Sequence, residues 1–205
     1  IDFTLNGYTK LADDIAQIYL ERYIKQVRET GEFSGFAEIF KRGHKEGRGL
    51  LEHWVMDIGG ELVEDWDKEG RSRSIQANAM LLNALSIHMM NVDEQRRGNL
   101  LPLAQALAEW LIKFQDSDGG LFNGTNEVTQ GFGSLKKTFQ QPSELKLLGA
   151  NASAYSALMK YSKVLEQTFG IPGNGFSFSA AQIKNWATID MWNAERGFFY
   201  AAKDV

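Results

Sequence analysis

The sequence predicts an all-α protein made of tandem antiparallel helix hairpins. Apolar residues recur at helical spacing over several long stretches, only three prolines interrupt the chain, and two helix-pair segments resemble each other. From Thr9 to Thr30, residues Leu11, Ala12, Ile15, Ile18, Tyr19, Tyr23 and Val27 share one face, with Asp13, Asp14, Glu21 and Arg28 opposite. Gly31 is placed to end that helix. A second helix is expected over residues 36–56, despite the glycines at 43, 47 and 49. Residues 74–90, "SIQANAMLLNALSIHMM", are apolar nearly all round, which predicts a helix buried on most sides. An outer helix follows, marked by Leu100, Leu103, Leu107, Leu111 and Phe114. Residues 116–144 read as a long polar loop, and helices over 145–169 and 180–193 complete the set. The expected domain is therefore one helical body of three pairs, residues 9–56, 74–115 and 145–193.

Composition narrows the partners. The net charge is −4 and no basic patch offsets it, so nucleic acid is not an expected partner. No apolar run approaches the ~18 residues of a bilayer span. With no cysteine there are no disulfides, thiolate metal sites or cysteine nucleophiles. His44, His53 and His88 lack metal-ligand spacing, and residues 131–138, "GFGSLKKT", lack the Gly-Lys of a phosphate loop. Neither a metal nor another cofactor is expected. The chain starts at Ile1, so a removed signal peptide would be invisible, and 123–125 and 151–153 match the glycan-acceptor pattern. A secreted or periplasmic setting is preferred to a cytoplasmic one on this reading.

The repeat gives the pattern its meaning. Residues 76–85, "QANAMLLNAL", align with 149–158, "GANASAYSAL", and 120–122 "GLF" with 197–199 "GFF". A fainter first copy is read as ending in "DIGGELVED", 57–65. Each unit is a buried helix, a short turn, an outer helix and a glycine-containing exit. In "FQDSDGGLFNG", residues 114–124, the glycines supply the geometry that ends the outer helix and Leu121-Phe122 turns back onto the core.

"SIQANAMLLNAL" followed by "LAEWLIKFQDSDGGLFNG" resembles the α/α-toroid, or six-hairpin, superfamily, and is most similar to glycoside hydrolases of the glycogen-debranching glucosidase type. That resemblance implies cleavage of glycosidic bonds in an oligo- or polysaccharide. Carbohydrate lyases share the architecture. The full ring has six pairs, so three would form an arc, completed by the remainder of the chain or another subunit, or a shorter open array.

Alternating helices put the longer connections at one end of such an array. Sugar sites use carboxylates and amides in the ring plane and aromatic rings against its face. Glycosidic cleavage uses two carboxyls about 5 to 9.5 Å apart. The catalytic candidates are Asp118, beside the paired glycines, with Glu195 and Asp57 at related places in the other units. The substrate-binding candidates are Trp66, Arg73, Asn78, Phe122, Asn151 and Trp192. Each has a plainer reading: the acids as solvated or capping groups, the tryptophans as packing, and Asn78 and Asn151 as bonds to a neighbouring loop. Trp54, Trp110 and Trp186 are expected to be core residues. The competing function is a non-catalytic helical-repeat module that binds a glycan or a protein.

Overall fold

The computed structural model describes residues 9–36, 55–56, 62–63, 73–130 and 137–204. Helices α1 (Thr9–Thr30), α2 (Ile75–Asn91), α3 (Glu94–Ile112), α4 (Leu148–Val164) and α5 (Asn174–Ile189) dominate it, so the chain is all-α as the periodicity predicts. Short strands lie between and after the helices in sequence: β1 (Val55–Met56), β2 (Leu62–Val63), β3 (Arg73–Ser74), β4 (Gly124–Gln130), β5 (Lys137–Pro142), β6 (Leu145–Leu147), β7 (Trp192–Asn193), β8 (Phe198–Phe199) and β9 (Ala202–Asp204).

α2 and α4 form the inner layer and make the most extensive helix–helix contact. Ala79, Ala150, Ala154 and Ala157 are fully buried, and their small side chains let helical backbones approach closely. α3 packs on α2, α5 packs on α4, and α1 lies against α3 in the outer layer. Leu82, Leu103, Leu107, Leu111 and Leu158 are sealed from solvent, each contributing about 2 kcal/mol of transfer free energy.

Several boundaries differ from the sequence reading. α3 starts at Glu94 because Asp93 caps it, its side chain accepting the Arg96 N–H at 2.9 Å. Residues 145–147, expected to be helical, form a strand, and α4 begins after them. A π-helical turn, Leu165–Phe169, extends α4 and is closed by Gly170 at φ +65°. α5 starts at Asn174, six residues before the expected Ala180, and ends at Ile189 before strand β7. The expected loop over 116–144 contains an antiparallel hairpin, β4 against β5, in register from Thr125↔Pro142 to Gln130↔Lys137. Most of the helix expected over 36–56 lies outside the described residues, but Val55–Met56 is a strand paired with Leu62–Val63.

The repeat frame is also corrected. The exit of the first unit is 31–36, directly after α1, rather than 57–65. Gly35 lies so close to the Trp110 ring that a Cβ there would sit 2.5 Å from Cε2. Gly120 meets Trp186 in the same way, at 2.7 Å. Trp110 and Trp186 are thus buried packing residues, each covering the exit that precedes it.

Strand pairing and hydrogen bonds gather the connectors at one end. β3, at the start of α2, pairs with β4 after α3, and β6, at the start of α4, pairs with β9 after α5. Asn123 N–H donates to the Leu145 carbonyl at 2.9 Å, and Phe36 N–H donates to Asn78 Oδ1 at 2.8 Å. The ends of α1, α3 and α5 therefore share a rim with the starts of α2 and α4.

Candidate functional site

Among the described residues, the most charged constellation on this rim is built around Lys146. Its position in β6 points the side chain under the second exit, where it is completely buried. Nζ lies 2.7 Å from Asp116 Oδ2 and 2.8 Å from both Asp118 oxygens. It also lies 4.8 Å from the centroid of the Phe122 ring. The two carboxylates keep about a third of their side-chain surface in solvent (31% and 30%), so one face of the cluster is open. Asp116 Oδ1 accepts the Ser117 N–H at 2.7 Å, and Asp118 Oδ1 accepts the Gly120 N–H at 2.9 Å.

These contacts fix charge states. The Asp116 carboxyl is held below its usual range, chiefly by the Lys146 hydrogen bond and then by the Ser117 N–H. Burial works against the Lys146 charge, yet hydrogen bonds and attraction from Asp116 and Asp118 outweigh it, and its pKa is raised. The Asp116 contribution to stability is therefore complete above the ordinary carboxylate pKa and is lost as pH falls through the lowered folded value. The Lys146 contribution is complete below the ordinary lysine pKa and is lost as pH rises through the raised one. Chemical denaturation from pH 7 down to pH ~2 should show an acid-side loss of stability that is smaller in Asp116→Asn.

The rest of the second exit is scaffold. Gln115 Nε2 donates to the Gly119 carbonyl at 2.9 Å and across to the Ser179 carbonyl of α5 at 3.0 Å. Asn151 is fully buried; its Oδ1 accepts the Leu121 N–H at 2.7 Å, while Nδ2 donates to the Leu121 and Leu147 carbonyls at 2.9 and 3.0 Å. Asn78 repeats the arrangement on Phe36 and Ser74, with bonds of 2.8, 3.0 and 3.0 Å. Both amides are saturated by backbone, so the sugar-contact reading of Asn78 and Asn151 is replaced by the plainer one: they bracket a neighbouring loop.

The other candidates fall in different places. Asp118 and Phe122 come together around Lys146. Arg73 stands on the same rim in β3, opposite Thr125. Glu195 is exposed at the third exit, and Trp192 there keeps 40% of its surface, its ring 4.8 Å from Phe199. Asp57 and Trp66 lie outside the described residues.

Lys146 and a pocket at the far end of the helices escaped the sequence reading, whereas Asn123 is among the polar groups expected in the second long connection. Lys146 lies among apolar residues in a stretch expected to be helical, where nothing marks it as a partner of Asp116 and Asp118. Asn123 carries a buried Oδ1 with no partner among the described residues, a spare acceptor at the edge of the cluster. At the opposite pole, a concavity of about 600 Å³ is lined by α1, α2 and α3 residues that include Asp13, Gln17, His88, Arg96 and Asn99. There Asp13 sits 2.9 Å from His88 Nε2 and 2.8 Å from Arg96 Nη1. Sequence separation hides such a group entirely. No set of three His, Cys, Asp or Glu side chains suited to a metal occurs among the described residues. None of the described helices is long and apolar enough to cross a membrane.

No family model matches the sequence, and no curated protein matches it. Among solved structures, a Bacteroides ovatus GH9 chain is similar at 15% identity and a TM-score of 0.47, over 88% of this chain and 38% of that one. The present chain thus spans well under half the length of that structure.

Proposed function

We propose that this chain is a carbohydrate-active protein whose connector-bearing rim holds an oligo- or polysaccharide and promotes cleavage of a glycosidic bond. The observation that carries the reading is the pair of carboxylates, Asp116 and Asp118, fixed beside buried Lys146 with one face in solvent. Sugar hydroxyls are donors, and ionised carboxylates held in place are the acceptors that match them without further ordering.

The ion pair favours one chemical role for Asp118. Both Asp118 oxygens already accept hydrogen bonds from the Lys146 ammonium group, the arrangement of an acceptor rather than of a donor. Asp118 therefore fits the base or nucleophile of a two-carboxylate mechanism, while the donor is a second acid such as exposed Glu195 on the same rim.

The test is release of reducing ends from a panel of soluble glucans and other polysaccharides. Asp118→Asn is expected to lower release at least 100-fold with weaker binding, and Glu195→Gln at least 10-fold, in proteins whose thermal midpoints remain measurable. Release unchanged by both substitutions contradicts the mechanism.

A second reading has one observation in its favour. Lys146, from the third unit, uses both carboxylates to tie down the second exit, which is a structural task in its own right. In that reading the rim binds glycan without cleaving it. Saccharide binding by the parent with no product release would select it.

A further inference from the structure

At the pole opposite the rim, the start of α1, the end of α2 and the start of α3 enclose the concavity of about 600 Å³, a usual size for a small-molecule site. Asp13 ties its walls together. One carboxylate oxygen lies 2.9 Å from His88 Nε2 and the other 2.8 Å from Arg96 Nη1. The His88 side chain is 5% exposed and that of Arg96 57%, so the cluster runs from a buried wall out to solvent. Arg96 also approaches Asp93 through Nε, at 3.4 Å. A guanidinium carries five N–H donors, and these two contacts leave some of them for a ligand.

Two further charges line the same space. Lys10 and Asp14 stand one turn apart on α1, and neither side chain forms an ion pair or hydrogen bond with another described residue. Leu20 and Leu100, both buried, add an apolar surface. Among the described residues, no aromatic ring besides the His88 imidazole lines it, so a sugar face finds no platform there. Apart from His88, the lining carries two acids and two bases. A purely anionic ligand meets like charge at Asp13 and Asp14, and a purely cationic one meets it at Lys10 and Arg96. A ligand bearing both charges avoids either penalty.

We propose that this concavity binds a small zwitterion of the amino-acid or dipeptide class. Arg96 and Lys10 take its carboxylate, which suits the fork of a guanidinium already held in place by Asp13. Asp14 takes the ammonium group, and an aliphatic side chain lies on Leu20 and Leu100. Asp13 and His88 are positioning residues. The site shares no residue with the carboxylate pair of the rim, so it stands or falls apart from the saccharide reading.

The probes are L-leucine and L-leucyl-L-leucine, titrated into the full chain while backbone amide resonances are followed. Saturable shifts are expected at Asp13, His88 and Arg96, with the Gly120 amide on the rim unmoved. The tighter of the two identifies the source. Its C-terminal amide, which lacks the carboxylate, and its N-acetyl form, which lacks the ammonium group, should each bind about tenfold more weakly, the loss of one charge-assisted contact. Asp14→Asn, at an exposed side chain, should weaken the zwitterion about tenfold yet leave the N-acetyl form unchanged. Arg96→Gln should weaken the zwitterion similarly and leave the C-terminal amide unchanged. No saturable shift with either zwitterion overturns the proposal, as do one-charge analogues that bind as tightly as their parent. Shifts at these amides with maltose but not with the zwitterions overturn it in favour of a sugar site.

Discussion

Replacing Asn151 with Leu is expected to lower the unfolding free energy by about 3 kcal/mol, because it strands buried backbone groups at about 1–3 kcal/mol each. The substitution is close in volume and more apolar, so burial alone would favour it. What it removes is the acceptor for Leu121 N–H and the donor to the Leu121 and Leu147 carbonyls. Leu121 is completely buried, and water cannot replace those partners without opening the exit. Asn78→Leu should behave alike, since Asn78 makes the corresponding bonds to Phe36 and Ser74. Urea denaturation measures both. A cost within about 0.5 kcal/mol, the range of an ordinary surface change, would mean that the asparagines are free for ligand rather than engaged as staples.

Gly124→Ala is expected to cost a similar amount, about 3 kcal/mol, from backbone strain and overpacking combined. Gly124 has φ +90°, and a Cβ there would stand against the Arg73 carbonyl oxygen of the facing strand. No rotamer relieves a clash with backbone, so β3 and β4 must separate and the tie between the start of α2 and the second exit is lost. Gly31 supplies the control: its φ is +81°, but nothing lies within 4 Å of the added Cβ. Gly31→Ala should cost only the backbone term, about 1 kcal/mol. Equal losses at the two glycines would show that the close approach to Arg73 does not exist in solution.

The helices were legible because their apolar periodicity is long. α1, α2 and α3 each carry many turns of consistent pattern, and local periodicity survives any tertiary arrangement. The exit motif was legible because it recurs. What failed was local and short. Strand β6 was absorbed into the neighbouring helix because Leu145–Leu147 offers too few residues to show a period. The β4–β5 hairpin was hidden by Gly, Asn and Gln, residues that read as loop although Thr125, Val128, Thr138 and Phe139 favour strands. The first unit was misframed because "DIGG" imitates the double glycine, whereas the real exit uses Gly31 and Gly35 around Phe33.

The site was less legible than the fold, for a physical reason. Asp118 stood out by its glycines, but its behaviour is set by Lys146, twenty-eight residues away, with Nζ at 2.8 Å. Asn78 and Asn151 looked alike in the repeat, and whether they faced ligand or loop depended on tertiary packing that no single-sequence pattern reports. Both proved to be structural devices, and their equivalence in space is the firmest sign that the units are stacked copies.

The central claim is that the first and second exits are each locked by an asparagine from the following unit. Amide exchange of Leu121, compared between the parent chain and Asn151→Leu, tests it most directly. The stapled arrangement requires Leu121 to exchange in the parent only on global unfolding, and to lose at least 100-fold of that protection in the variant while Phe36 stays as slow as before. Fast exchange of Leu121 in the parent, or protection that survives loss of the Asn151 amide, would contradict it.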